Sequence, residues 1–323
     1  MKPTFVRDLT PDSPVRSTFL VQSKERKTAS NGAAYLDLSL QDNTGVIAAK
    51  LWDYSERTTP AFEADDVVQV EGQVESYRGT PQLRIRKITT CAPDAVDLRD
   101  YLPRTERNPE EMFAALLARV RRMSEGPLRA LLLSILEDAP LAEKYKLAPA
   151  AMSYHHAFLG GLLEHVSSLV ALGDGVADHY PWLRRDLIVA GIVLHDIGKT
   201  EELSFVAGFR YSTRGQLVGH ISMGLEMVQA KIRQIPDFPA QLKGEIEHII
   251  ISHHGKLEFG SPKEPMFAEA LVVSFLDEMD SKLEAVRAQY AADQDRPGDW
   301  TSRNPALKRE LLKPPKGKMN LAT

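Results

Sequence analysis

Along the first ninety residues apolar positions recur in short runs, often at every second residue, cut by turn signals. Ala34-Tyr35-Leu36-Asp37-Leu38-Ser39-Leu40 alternates, Asp42-Asn43-Thr44-Gly45 breaks it, and Val46-Ile47-Ala48-Ala49-Lys50-Leu51-Trp52 follows. After Asp65-Asp66 come Val67-Val68-Gln69-Val70-Glu71-Gly72-Gln73-Val74, a break at Tyr77-Arg78-Gly79, and Gln82-Leu83-Arg84-Ile85-Arg86-Lys87-Ile88. Period-two runs of this length between Gly, Asn and Asp predict strands, and five strands at this spacing predict a small β-barrel. From Pro109 the period becomes helical, with Met112, Leu116, Leu117 and Val120 on one face and Leu131, Leu132, Ile135 and Leu136 on the next. Residues Pro103 to Pro109, rich in charge and proline, are the expected connector.

The expected organisation is multidomain: an all-β barrel over 1–93, a linker over 94–110, an all-α helical bundle over 111–292 and a basic, proline-containing tail over 293–323. That tail, with Arg296, Arg303, Lys308, Arg309, Lys313, Lys316 and Lys318, reads as a solvated segment. At 323 residues and 43% apolar content the chain can fill two cores. One cysteine, Cys91, excludes an internal disulfide, and the start Met1-Lys2-Pro3-Thr4-Phe5-Val6-Arg7 lacks the apolar core of a signal peptide. The longest apolar stretch, Leu187 to Leu194, is too short for a bilayer. A cytoplasmic protein with no membrane partner is the expectation. The net charge of −4 gives no global attraction to nucleic acid, so a polyanion would need local basic strips or metal.

All nine histidines fall between His155 and His254, and that crowding points to a metal-dependent hydrolase. Its focus is Leu194-His195-Asp196-Ile197-Gly198-Lys199. Adjacent helical side chains point about 100° apart, so His195 and Asp196 share an ion only at a helix end or kink, and Gly198 is the candidate for that break. Leu187 to Leu194 would be a buried helix delivering the pair into the core, where an unpaired carboxylate is costly without a cation. Weight comes from the company: His165, His220, the pair His253-His254, and Asp277 within Phe275-Leu276-Asp277-Glu278-Met279-Asp280. His156 reads equally as a ligand or a core group, while His155 and His179 read as structural. His248 stands with Glu245 at i, i+3, but no second such pair accompanies it. Glu278 and Asp280 read either as supports of a ligating histidine or as solvated positions.

The set His165, His195-Asp196 and Asp277 resembles the H…HD…D signature of the HD-domain phosphohydrolase superfamily over roughly residues 150 to 290. The strings His155-His156-Ala157-Phe158-Leu159-Gly160-Gly161-Leu162, Gly219-His220-Ile221-Ser222, Ser252-His253-His254-Gly255 and Gly260-Ser261-Pro262-Lys263 are similar to one branch, the YhaM-type 3′-5′ exoribonucleases. That branch joins an N-terminal OB-fold to the HD domain, so the resemblance implies an OB-fold barrel followed by an HD helical bundle. It further implies two divalent ions: one held by His165, His195, Asp196 and Asp277, the second by His220 and His253 or His254, with Asp196 as the bridge. Mixed imidazole and carboxylate donors suit Mn²⁺ first, then Fe²⁺ or Zn²⁺, better than Mg²⁺. Two ions about 4 Å apart can serve an in-line phosphoryl displacement. Asp196 and Lys199 are the expected catalytic groups, Lys199 aiming its ammonium at a phosphate oxygen.

OB-folds bind single strands by stacking bases on aromatics and tracking phosphates with basic side chains. Tyr35, Trp52, Tyr54 and Tyr77, with Arg78, Arg84 and Arg86 and near Lys50 and Lys87, are the candidates. The expected function is a metal-dependent 3′-5′ exonuclease on single-stranded RNA, with single-stranded DNA as a second polymer of the same chemistry. A phosphohydrolase of a small cyclic or polyphosphorylated nucleotide, and a noncatalytic nucleic-acid-binding protein, are the alternatives; a homo-oligomer stays open.

Overall fold

The computed structural model describes every residue except 1, 53, 78, 93–95, 152–155, 205–209 and 316–323, and leaves aside the side chain of Leu98. The chain divides into two compact units, Met1–Arg104 with Ser204–Arg210, and Thr105–Leu203 with Tyr211–Thr323.

In the first unit five strands, β1 (Pro14–Thr28), β2 (Ala34–Asp42), β3 (Gly45–Leu51), β4 (Val67–Tyr77) and β5 (Thr80–Thr90), close into a barrel of order β1-β2-β3-β5-β4. Only β3 and β5 pair in parallel; the other pairings are antiparallel. Alternation turns Leu36, Leu38, Leu40, Ile47, Ala49, Leu51, Leu83 and Ile85 into the barrel core and leaves Tyr35, Lys50 and Arg84 on the outer face. Closure needs curvature, and register shifts in β1 and β4 supply it. At the second shift a Cβ on Gly72 would lie 2.3 Å from the carbonyl oxygen of Arg84, so only glycine fits. Strand β1 is the one the alternating runs do not announce: its buried Phe19-Leu20-Val21 is followed by the exposed charges of Glu25 to Lys27.

The second unit is helical: α1 (Pro109–Arg121), α2 (Gly126–Leu136), α3 (Ala139–Leu147), α4 (Gly161–His179), α5 (Arg185–Leu194), α6 (Lys199–Glu202), α7 (Thr213–Val218), α8 (His220–Ile232), α9 (Ala240–Ser252) and α10 (Ala268–Ala292). At its centre is α5, buried from Asp186 to Leu194. Its neighbours come close because glycines stand at the crossings. A Cβ on Gly173 of α4 would lie 2.8 Å from Ile192, and one on Gly191 of α5 would lie 2.9 Å from Ile249 of α9 and 3.0 Å from Val273 of α10. The start of α5 is tied down as well, since Asp186 accepts from the backbone N–H groups of Ser124 and Glu125 at 2.7 and 2.9 Å. Helix α4 begins at Gly161, after Gly160 in the left-handed region. Among the described residues no helix is long and apolar enough to cross a membrane.

The segment after Asp293 is largely exposed among its described residues, yet it is also tied to α10. Its described part folds back on α10: Asn304 donates to the Ala285 carbonyl at 3.1 Å and Tyr290 to that of Leu312 at 2.9 Å, burying Thr301 and Asn304. Asn304 thus finds on the helix a partner that water would otherwise supply, while Thr301 bonds within the segment to Ser302 and Leu311. Lys316 and Lys318 lie outside the described residues.

The glycine crossings make a direct prediction. Gly191→Val places branched bulk against Ile249 and Val273 and is expected to destabilise the helical unit by about 1–3 kcal/mol, read as a lowered midpoint of urea unfolding; an unchanged midpoint would show that α5, α9 and α10 have room to spare.

Candidate metal centre

Helix α5 ends at Leu194 and His195 is its C-cap, its N–H still bonded to the Gly191 carbonyl at 2.8 Å. The chain then tightens, with Ile197 N–H on the Leu194 carbonyl and Lys199 N–H on that of Asp196. This helix end lets two adjacent side chains face one place. Gly198 contributes differently from the break expected of it. Its backbone is ordinary right-handed helix at φ −61°, but a Cβ there would lie 2.0 Å from the His220 carbonyl oxygen. Glycine lets the start of α8 approach.

Five other side chains converge on this turn: His165 from α4, Asp277 from α10, His220 from the first position of α8, and His253 and His254 just past α9. One set of ligand atoms, from His165, His195 and Asp277, lies within 4.8 Å, and so does another from His220, His253 and His254. Nε2 of His165 is 3.2 Å and that of His195 3.9 Å from Asp277 Oδ1. Asp196 stands between the sets. Its Oδ2 is 3.2 Å from His195 Nε2, while its Oδ1 is 3.4 Å from His220 Nε2 and 3.6 Å from His253 Nε2.

Each of the five imidazoles is held from behind through Nδ1. His195 meets the Ile192 carbonyl and His253 that of Ile250, both at 2.7 Å; His254 meets the Phe259 carbonyl at 2.9 Å. His165 meets the Asp280 carboxylate at 2.7 Å and His220 that of Glu202 at 3.2 Å. A proton fixed on Nδ1 leaves the lone pair on Nε2, the tautomer a metal ligand needs. On the inner side, His195 Nε2, Asp196 Oδ1, His220 Nε2 and His253 Nε2 are buried with no hydrogen-bond partner. Buried polar atoms are rarely left unmade, and four of them around one point fit divalent cations.

Electrostatics says the same. Burial works against ionisation of Asp196 and Asp277, yet Lys199 and His195 beside the first, and His165 and His195 beside the second, hold both well below the usual carboxylate range. Burial pushes His253 and His254 down, which favours the neutral ligand form. Burial also lowers His165, but its bonds to Asp277 and Asp280 outweigh this and raise it to about 9. An ion at this position displaces a proton.

The remaining candidates sort by their contacts. Lys199 Nζ donates to Asp196 Oδ2 at 2.6 Å and is largely buried. His156 is buried with a left-handed backbone, φ 46°, and its Nε2 is 3.2 Å from Asp280 Oδ2, behind His165. His248 Nε2 accepts from the Met266 N–H at 3.0 Å, and Glu245 pairs with Arg184. His179 stands edge-on to Tyr180 at 4.6 Å, and Glu278 pairs with Lys282. His155 lies outside the described residues. Glu202 escaped the sequence reading; it is one acidic residue in Lys199-Thr200-Glu201-Glu202, and only the fold turns it toward His220.

On the outer barrel face the Tyr35 and Trp52 rings stack at 4.5 Å and 30°. Lys50 Nζ stands 5.2 Å from the Tyr35 centroid, 5.4 Å from that of Trp52 and 6.0 Å from that of Tyr77. Arg84 pairs with Lys50 in register and reaches Glu75 at 3.3 Å, and Arg86 reaches Gln73 at 3.1 Å. Tyr54 stands apart, packed against the barrel core with Arg26 5.9 Å away. Arg78 lies outside the described residues.

Residues 20–90 match a family model described as an OB-fold nucleic acid binding domain, and residues 162–282 match the HD domain. Curated relatives extend the match to nearly the whole chain. The 3′-5′ exoribonuclease YhaM of Listeria innocua is 35% identical over 285 residues, 88% of this chain and 90% of its own. Its counterpart from Bacillus velezensis is 35% identical over 298 residues, 92% of this chain and 93% of its own. The chain belongs to the YhaM 3′-5′ exoribonuclease family. The Geobacillus YhaM, 35% identical over 301 residues, covers 91% of this chain and 90% of its own. The barrel is thus an OB-fold and the helical unit carries the HD domain, whose metal-binding character matches the convergent His/Asp clusters.

Two predictions follow from the centre. Gly198→Ala pushes α8 and His220 away from Asp196, so it is expected to lose part of the bound metal while circular dichroism stays native; full metal content by elemental analysis would refute the close-approach argument. Because His165 holds a proton up to about pH 9 without an ion, apparent metal affinity at the first position should rise by about tenfold per pH unit below that value and flatten above it. Calorimetric titration of the metal-free protein with Mn²⁺ at three pH values, with the protons released counted, tests the sign.

Proposed function

We propose that this chain is a divalent-metal-dependent 3′-5′ exonuclease that shortens single-stranded RNA, one nucleoside 5′-monophosphate at a time. The observation that carries the reading is the convergence of the four partnerless buried atoms of His195, Asp196, His220 and His253; the names of the relatives supply direction and polymer. His165, His195, Asp196 and Asp277 would hold one ion, and His220, His253 and His254 a second, with Asp196 shared. The nitrogen-rich donor set favours Mn²⁺, then Fe²⁺ or Zn²⁺, over Mg²⁺.

Bound ions would supply neutralisation of the phosphoryl oxygens and activation of water. The chain's own groups do the rest. Asp280, Glu202 and the carbonyls of Ile192, Ile250 and Phe259 hold each imidazole in its ligating tautomer, and Lys199 sets an ammonium beside the Asp196 carboxylate. In the reaction a water oxygen bonds to phosphorus, the P–O3′ bond breaks, and a proton passes to the departing 3′ oxygen. The barrel would grip the strand, bases on Tyr35, Trp52 and Tyr77, phosphates against Lys50, Arg84 and Arg86. Single-stranded DNA offers the same stacking and phosphate contacts and belongs in the substrate panel.

With Mn²⁺, a 5′-labelled RNA should yield a descending ladder while a 3′-labelled one releases its label at once as mononucleotide. The reverse pattern, or turnover of cyclic nucleotides with RNA untouched, would overturn the reading. Trp52→Ala combined with Tyr77→Ala should raise KM on long strands by about tenfold or more, since each stacked base adds roughly 1–3 kcal/mol, with a far smaller effect on a dinucleotide. Equal effects on both lengths would remove the barrel as a strand clamp.

A further inference from the structure

The segment from Lys256 to Lys263 supplies no ligand to the histidine clusters, yet it is fastened to one. His254 donates from Nδ1 to the Phe259 carbonyl oxygen at 2.9 Å, so the bond that frees His254 Nε2 also fixes the backbone at Phe259. Between lies a single 3-10 turn, Leu257–Phe259, bracketed by Gly255 and Gly260 in the left-handed region at φ 79° and 91°. A turn held this closely could tuck its apolar side chains inward. Instead Phe259 keeps 54% of its surface exposed and Leu257 62%, and the exposed Lys256 places its Nζ 5.9 Å from the Phe259 ring centroid. The other chain segment that reaches this cluster is alike. Leu217 and Val218, just ahead of His220, are 80% and 42% exposed, and the His220 and His254 rings are 5.2 Å apart. The second histidine cluster therefore has apolar side chains in water on both segments that lead into it.

An exposed ring with an ammonium beside it, tied to a centre that handles phosphodiesters, suits a flat group with an apolar face joined through a sugar to a phosphate. We propose that Phe259, assisted by Lys256, forms the subsite for the 3′-terminal nucleotide and stacks on its base. The proposal rests on the exonuclease reading above. It deepens that reading by giving the terminal residue, and no other, an aromatic anchor beside the metals. Stacking accepts any base because every base offers a π-face, so the subsite would hold each new end in turn without sequence preference. Phe259 here is a binding residue and lies outside the ligand set.

The test uses the full chain with Mn²⁺ and two RNA 12-mers that differ only at the 3′ end, one base-bearing and one abasic. Wild type is expected to remove the base-bearing residue about tenfold faster in kcat/KM, within the range that one stacked base supplies. Phe259→Ala should shrink that ratio toward one with metal content unchanged, and Phe259→Trp should restore it, a rescue that a merely structural role would not give. The proposal is overturned if wild type treats both ends alike, or if Phe259→Ala keeps the wild-type ratio. If metal-loaded wild type shortens neither RNA, the exonuclease reading itself falls, an outcome separate from loss of discrimination.

Discussion

The helical unit is arranged around one buried carboxylate. Asp196 has almost no solvent, and an ionised carboxylate so placed costs on the order of several kcal/mol unless charges compensate it. Lys199 donates to it at 2.6 Å, while the lone-pair-bearing Nε2 atoms of His195, His220 and His253 stand 3.2 to 3.6 Å away, an arrangement that leaves room for a cation between them. The four elements that bring these side chains therefore all meet at Asp196, and Lys199 is the group whose removal would strand its charge. The Nδ1 bonds behind the rings extend this constraint outward to Glu202 and Asp280, which have no place in the ligand set yet determine which nitrogen faces in.

Bringing so many elements to one point requires backbones nearer than ordinary side chains allow, and glycine solves this at each crossing. Gly191 lets α9 and α10 close on α5, and Gly198 lets the His220 turn meet the His195-Asp196 turn. Glycine inside a helix costs roughly 1 kcal/mol relative to alanine, and α5 accepts it at Gly191. The long apolar stretch of α5, buried on every side, offsets that loss. Stability and ligand placement are therefore set by the same contacts.

Much of this was legible in the chain. Period-two runs gave four of the five strands with their inward faces, and the His-Asp pair behind Leu187 to Leu194 marked the turn at the centre. The misses have physical causes. Strand β1 hides its alternation because its second half is charged and faces water. Gly198 looked like a conformational break, but its backbone is helical and its lack of a Cβ matters through His220, far along the sequence. The partners of Nδ1 are mostly backbone carbonyls, which every residue has and no sequence distinguishes. Asp280 and Glu202 differ from solvated acids only in where the helices turn them.

A chain of net charge −4 has no general attraction for a polyanion, so its electrostatics must be local. On the barrel, Lys50 is ringed by Tyr35, Trp52 and Tyr77, while Arg84 and Arg86 already bond to Glu75 and Gln73. Arg84 is held in place at the cost of part of its charge, whereas Arg86, bonded to the neutral Gln73, keeps its own. Such a face favours flat rings over a dense field of phosphates, because stacking survives salt that screens exposed charges. The helical unit takes the opposite course and gathers its fixed charges in a buried centre, where screening by salt is weak. Two sites with such different environments can be told apart on one chain: salt screens the exposed basic side chains, while the buried imidazoles and carboxylates feel it little.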